Sequence, residues 1–134
     1  MTIEWQDRFN IGNQQIDHQH QQLFVIANHF LTATTKEDQL RCAENLFEYT
    51  RNHFSYEESL MKKFNFPEVE QHIRSHHALL SRLEALNSTI LADSLDANEL
   101  HAFIQHWALF HIPTADAKLA EYMCDSQTRQ VGIE

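Results

Sequence analysis

Two pairs of residues in this chain carry metal-binding side chains at the spacing of one helical turn: His53 with Glu57, and His72 with His76. Residues four apart share a helix face, so each pair would point in one direction. His111 and Asp116 stand five apart with Pro113 between them, and His20 sits within an apolar stripe of its own. An imidazole or carboxylate aimed at the dry side of a helix costs several kcal/mol unless something pairs with it. A partly exposed contact would satisfy one such pair. Five imidazoles and two carboxylates spread over four amphipathic segments need a shared positive partner, and a metal resolves the conflict. Seven donors are too many for one tetrahedral zinc, whereas mixed nitrogen and oxygen ligands suit two six-coordinate iron ions bridged by carboxylates. The Glu-x-x-His signature of ferritin-like di-iron sites occurs nowhere in the chain, which argues against ferroxidase and oxygenase chemistry.

The elements that must position these residues follow from hydrophobic periodicity. With only 2 Gly and 2 Pro in 134 residues, 43% of them hydrophobic, the chain is one domain of long uninterrupted helices with a real core. From about Asn13 to Ala33, Ile16, His20, Leu23, Ala27, Phe30 and Leu31 recur at intervals that keep them on one stripe. Thr35, with Asp38 after it, offers an N-cap for a second helix to about Phe64, whose inner face holds Leu46, Thr50, His53, Glu57, Leu60 and Phe64. Pro67 suits the first turn of a third helix, on which His72 and His76 stack within the stripe Val69, Ile73, Leu79, Leu83, Leu86 and Ile90, while His77 points elsewhere. Asp96 with Glu99 forms a capping box for a fourth helix, with Leu100, Phe103, Ile104, Trp107, His111, either Lys118 or Leu119, and Tyr122 inward.

Pro113 removes a backbone donor just after His111 and predicts a kink or local widening. In an ideal helix His111 and Asp116 diverge by about 140°, so either that helix is distorted or the two hold different parts of one large object. Residues 1–15 read as a loop-like arm that packs Trp5, Phe9 and Ile11 across the helices. His18 and His29 fall off the stripe and read as solvated or partly packed. Asp17 is either a first-turn acid or a carboxylate that orients an imidazole. The architecture expected is all-α, an up-down-up-down four-helix bundle with an N-terminal arm. Residues 1–124 make the domain, and residues 125–134, which lack a stripe, read as a tail or the start of a linker.

The formal charge of −9 disfavours nucleic acid and anionic membrane as partners. The apolar runs are too short for a membrane span, and no signal peptide is visible. Cys42 and Cys124 are isolated thiols without metal-type spacing, which suits a reducing cytoplasm.

These residues together resemble the hemerythrins, most closely the bacterial hemerythrin family. The resemblance rests on Trp5 and Gly12 ahead of Ile16-Asp17-His18-Gln19-His20, on His53-Phe54-Ser55-Tyr56-Glu57-Glu58, on His72-Ile73-Arg74-Ser75-His76, and on Trp107 through Asp116; it spans roughly Trp5 to Tyr122. It implies a left-handed bundle around a non-heme, oxo- or hydroxo-bridged di-iron centre. One iron would take His72, His76 and His111; the other would take His20 and His53, with Glu57 and Asp116 bridging. The second iron then has one open position, where the family binds dioxygen reversibly and where an anion or nitric oxide could also bind. The resemblance thus implies oxygen binding, storage or delivery rather than catalysis. Trp107, Ala108 and Ile112 would wall the ligand pocket. The family usually carries a bulky aliphatic, often Leu, where this chain has Ala108, which implies a more open pocket and faster autoxidation. That departure suits the alternative function, an oxygen- or redox-sensing input domain joined to an output domain C-terminal to Glu134.

Overall fold

The structure, a computed structural model, describes residues 3–133, with side chains for all of these except 108–110 and 126–133. Four helical rods form the molecule, and among the described residues there is no strand. They are α1 (Gln14–Thr32), α2 (Lys36–Lys63), α3 (Val69–Leu91), and a composite fourth rod of α4 (Ala97–His106), a π-helical segment (Trp107–Asp116) and α5 (Ala117–Ile133). Short connections between consecutive rods give the expected antiparallel bundle. No described helix is long and apolar enough to cross a membrane.

The helix ends show how a chain with so few glycines turns. Asn13 caps α1 by accepting from Ile16 N at 3.0 Å, and Thr35 caps α2 by accepting from Asp38 N at 3.1 Å. At the start of α4 the Asp96 side chain accepts from Asn98 N at 2.8 Å, so the cap closes on Asn98 rather than on Glu99. Asn65 (φ 53°) and Asp93 (φ 56°) occupy the left-handed region after α2 and α3, where short polar side chains stand in for glycine. Phe66 N then donates back to Met61 O at 2.9 Å, and Ser94 N to Thr89 O at 2.8 Å, satisfying the last carbonyls. Pro67 lies in the turn before α3, which starts two residues later, at Val69.

The arm is more ordered than the loop its sequence suggests. It contains a 3-10 turn at Asp7–Phe9, and Trp5, Phe9 and Phe24 pack with ring centroids 5.1 to 5.6 Å apart. Asn28 clamps it from α1, accepting from Ile3 N and donating to Ile3 O, both at 2.7 Å. Gly12, at φ 91°, lets the chain turn into α1. Asp17 then accepts from Ile11 N at 2.8 Å and from Gly12 N at 3.3 Å. This settles the role left open for Asp17: it pins the arm rather than orienting an imidazole. Asp17→Ala leaves two backbone donors without that partner, and a loss of about 1 kcal/mol in urea unfolding is expected.

Every rod reads apolar, polar, apolar along its inner face. On one side of the polar layer lies the larger core, including Leu23, Ala27, Leu46, Leu83 and Phe103; on the other lie Ile16, Met61, Phe66, Leu119 and Met123. Along α2 the fully buried anchor beyond the polar pair is Met61, whereas Leu60 and Phe64 are half-buried. The inner face is thus rotated slightly from the stripe drawn through those two. The helical backbone also does not break at residue 125, because α5 runs on to Ile133.

Candidate metal centre

The polar layer is where His20, His53, Glu57, His72, His76, His111 and Asp116 meet, and all seven are buried. The helices place them by simple means. His53 and Glu57 are one turn apart on α2, with His53 Nε2 at 3.1 Å from Glu57 Oε1. His72 and His76 are one turn apart on α3, with ring centroids 4.5 Å apart. His20 projects from the middle of α1 and reaches Asp116 Oδ2 at 3.1 Å. His77, His18 and His29 face solvent.

The fourth rod solves the five-residue spacing by widening. Ala117 N donates to Ile112 O, five residues back, which closes the wider turn that a π-helix makes. Residues five apart then fall much nearer one face than on an α-helix, and His111 Nε2 sits 3.1 Å from Asp116 Oδ1. Pro113, which has no N–H to donate, falls inside this segment. The distortion is therefore what brings both side chains to the same layer.

The donor atoms form two groups, one of Glu57, His72, His76, His111 and Asp116 and the other of His20, His53, Glu57 and Asp116, with the atoms in each within 4.8 Å of one another. Both carboxylates belong to both groups. Asp116 divides its oxygens between them: Oδ1 faces His72 at 3.0 Å and His111 at 3.1 Å, while Oδ2 faces His20. Glu57 Oε1 lies near one imidazole of each group, His53 at 3.1 Å and His76 at 3.4 Å, and Oε2 is 3.9 Å from His72.

Electrostatics without a cation show how badly these groups need one. Burial, then the charge of Asp116, pushes the Glu57 carboxyl well above the usual range. Burial alone would raise Asp116 too, but His111, His20 and His72 turned towards it outweigh that and hold it well below. Burial first, then neighbouring imidazoles, pushes His53 down to about 3 and His76 to about 2, so both stay neutral. All five imidazole Nε2 atoms and all four carboxylate oxygens are buried without a hydrogen-bond partner. Orphaned acceptors of this kind, converging in two groups, fit a pair of metal ions with mixed nitrogen and oxygen ligands.

Aromatic groups wall the layer. Phe54 stacks on His76 with centroids 3.8 Å apart and planes 3° from parallel, and Trp107 stands edge-on to His20 at 6.0 Å. Ile112 is fully buried. The side chain of Ala108 lies outside the described residues. One neighbour escaped the sequence reading: Gln19 Oε1 lies 2.6 Å from His53 Nδ1. The only sequence signal for it was its place beside His20, since an uncharged residue at a half-buried position carries no periodic mark.

Comparison with known proteins agrees with this geometry. A family model described as Hemerythrin HHE cation binding domain matches residues 12–123. The bacteriohemerythrin of Stenotrophomonas maltophilia (strain R551-3) is 30% identical over 122 residues, covering 89% of this chain and 80% of that protein. A hemerythrin-like protein of Naegleria gruberi is 28% identical over 116 residues, covering 87% and 89%. The crystal structure of a hemerythrin mutant superposes with a TM-score of 0.80 at 22% identity, over 91% of this chain and 98% of that one, and shares its fold. With a layer of buried donors that could hold metal in a four-helix bundle and a family match over residues 12–123, this chain belongs to the hemerythrin family.

Proposed function

We propose that the protein is a non-heme di-iron protein that binds dioxygen reversibly at one open iron position, for storage or delivery. The observation that carries this reading is the unequal division of the layer, three imidazoles in one donor group and two in the other, with Glu57 and Asp116 common to both. In this reading His72, His76 and His111 would hold one iron and His20 and His53 the other, with Glu57 and Asp116, common to both donor groups, available to both. When bound, the iron pair supplies the electrons and the single vacancy that a diatomic ligand requires. The chain's own residues provide the rest. Phe54, Trp107 and Ile112 supply buried apolar surface that keeps water from the layer. Among the described residues the two buried donor groups contain only the seven proposed ligands, and the reading is of a binding protein rather than an enzyme. Small anions and nitric oxide are expected to compete at the same position. The test is iron analysis of the purified protein followed by anaerobic reduction and repeated cycles of oxygen addition and removal, read by absorbance. About two irons per chain and a reversible spectral change are expected; one-way oxidation in the first cycle would argue against storage.

A second reading, an oxygen- or redox-sensing input domain, draws on Ala108 and on α5, which leads without a break from Asp116 to Ile133. A helix rooted at a metal ligand is a stiff lever for passing on a change at the centre. If Ala108 opens the pocket to water, Ala108→Leu should slow oxidation of the reduced protein in air roughly tenfold, about 1.4 kcal/mol of barrier. Stopped-flow absorbance of the two proteins checks this. Equal rates would remove the chemical support for sensing.

A further inference from the structure

We infer that Gln19 is a positioning residue that sets the two-imidazole half of the centre before its metal arrives; this rests on the two-metal reading above. Gln19 directly precedes His20 on α1, and its side-chain oxygen accepts from His53 Nδ1 on α2 at 2.6 Å. Its backbone oxygen accepts from the Tyr49 hydroxyl at 3.0 Å, and Tyr49 lies one turn before His53. A single residue thus touches both members of this half: one through the chain, the other through its amide. Both bonds join α1 to α2 at the level of this half of the layer.

The chemistry of the amide oxygen gives the bond its consequence. A carbonyl oxygen only accepts, so the proton of His53 is held on Nδ1, and Nε2 presents its lone pair to the layer. That Nε2 is the atom 3.1 Å from Glu57 Oε1. The ring of His20 stands edge-on to that of His53 at 4.8 Å, so a rotation of His53 would also disturb its neighbour. The other half has a different support. His76 Nδ1 is 3.7 Å from Glu58 Oε2, beyond hydrogen-bond reach, and its ring is held by the Phe54 stack and by two further imidazoles. A group with three imidazoles tolerates imperfect aim in one of them. A group with two does not, so the fixed tautomer and orientation matter most at His53.

The experiment follows release of iron from the loaded protein to a coloured chelator, in the native chain and in Gln19→Leu, Gln19→Glu and Tyr49→Phe. Native protein should release two kinetic classes of iron. Gln19→Leu, which keeps the bulk and removes the acceptor, should accelerate one class by about 10–100-fold and leave the other unchanged. Gln19→Glu, which keeps an acceptor for Nδ1, should restore slow release, and Tyr49→Phe should have the smaller effect because the side-chain bond remains. Native rates for both classes in Gln19→Leu would overturn the inference. So would equal acceleration of both classes, or failure of Gln19→Glu to rescue, because either marks a residue of general structural use. A native chain that carries a single class of iron would overturn the two-metal reading itself, and the inference with it.

Discussion

Replacing His76 with Ala should strip the protein of at least one of the two metal ions proposed for it, whereas His77→Ala should leave metal binding unchanged. The two histidines are adjacent in sequence, yet α3 turns His76 into the polar layer and His77 into solvent. His76 Nε2 sits 3.4 Å from Glu57 Oε1, and its ring lies flat against Phe54. The substitution therefore removes a donor and opens a cavity beside an aromatic ring, at a cost of a few kcal/mol in the metal-free chain as well. The exposed neighbour should change stability by no more than about 0.5 kcal/mol. Elemental analysis of both variants, with a urea melt of each, is the check. Loss of metal in the His77 variant and retention in the His76 variant would place α3 in the wrong rotational register.

Removing the metal from the native protein should destabilise it by roughly 4 kcal/mol relative to protein held in a thousandfold excess of free metal over its dissociation constant. The stripped chain keeps Glu57 and Asp116 in a dry layer among five imidazoles with no metal between them. Its stability should then fall as the pH drops below 6.5. His53 and His76, depressed to about 3 and about 2 from 6.5, refuse protons in the fold that the unfolded chain accepts. Glu57 acts in the opposite sense, because its raised carboxyl keeps a proton in the fold that the unfolded chain releases above 4.5. Two imidazoles against one carboxyl leave a net preference of one proton for the unfolded chain between pH 6.5 and 4.5. That preference corresponds to about 1.4 kcal/mol per pH unit from these three groups. Urea midpoints of chelator-treated protein at several pH values measure the slope; a rise in stability towards acid would contradict neutral burial of the two imidazoles. Acid should also release metal from the loaded protein, because each ligand must lose or lack a proton to bind.

Much of this molecule was legible in the residues themselves. Local periodicity set the faces of α1, α2 and α3, and with them the inward direction of His20, His53, Glu57, His72 and His76, because a helix carries residues three and four apart to one side wherever it is found. The scarcity of Gly and Pro predicted long helices for the same local reason. The structure decided what depends on neighbours distant in sequence or on departures from ideal geometry. His111 and Asp116 diverge on an α-helix and meet only because the backbone widens into a π-helical segment, a change that Pro113 permits but whose form it does not specify. Asp17 could have served an imidazole or a backbone; the path of the arm brought two amides to it first. Gln19 had no mark of importance until α2 delivered His53 to within 2.6 Å. Helix faces are short-range consequences of covalent geometry, whereas the pairing of two polar atoms on different helices depends on the phase and height at which those helices pack, which no single stretch of sequence contains.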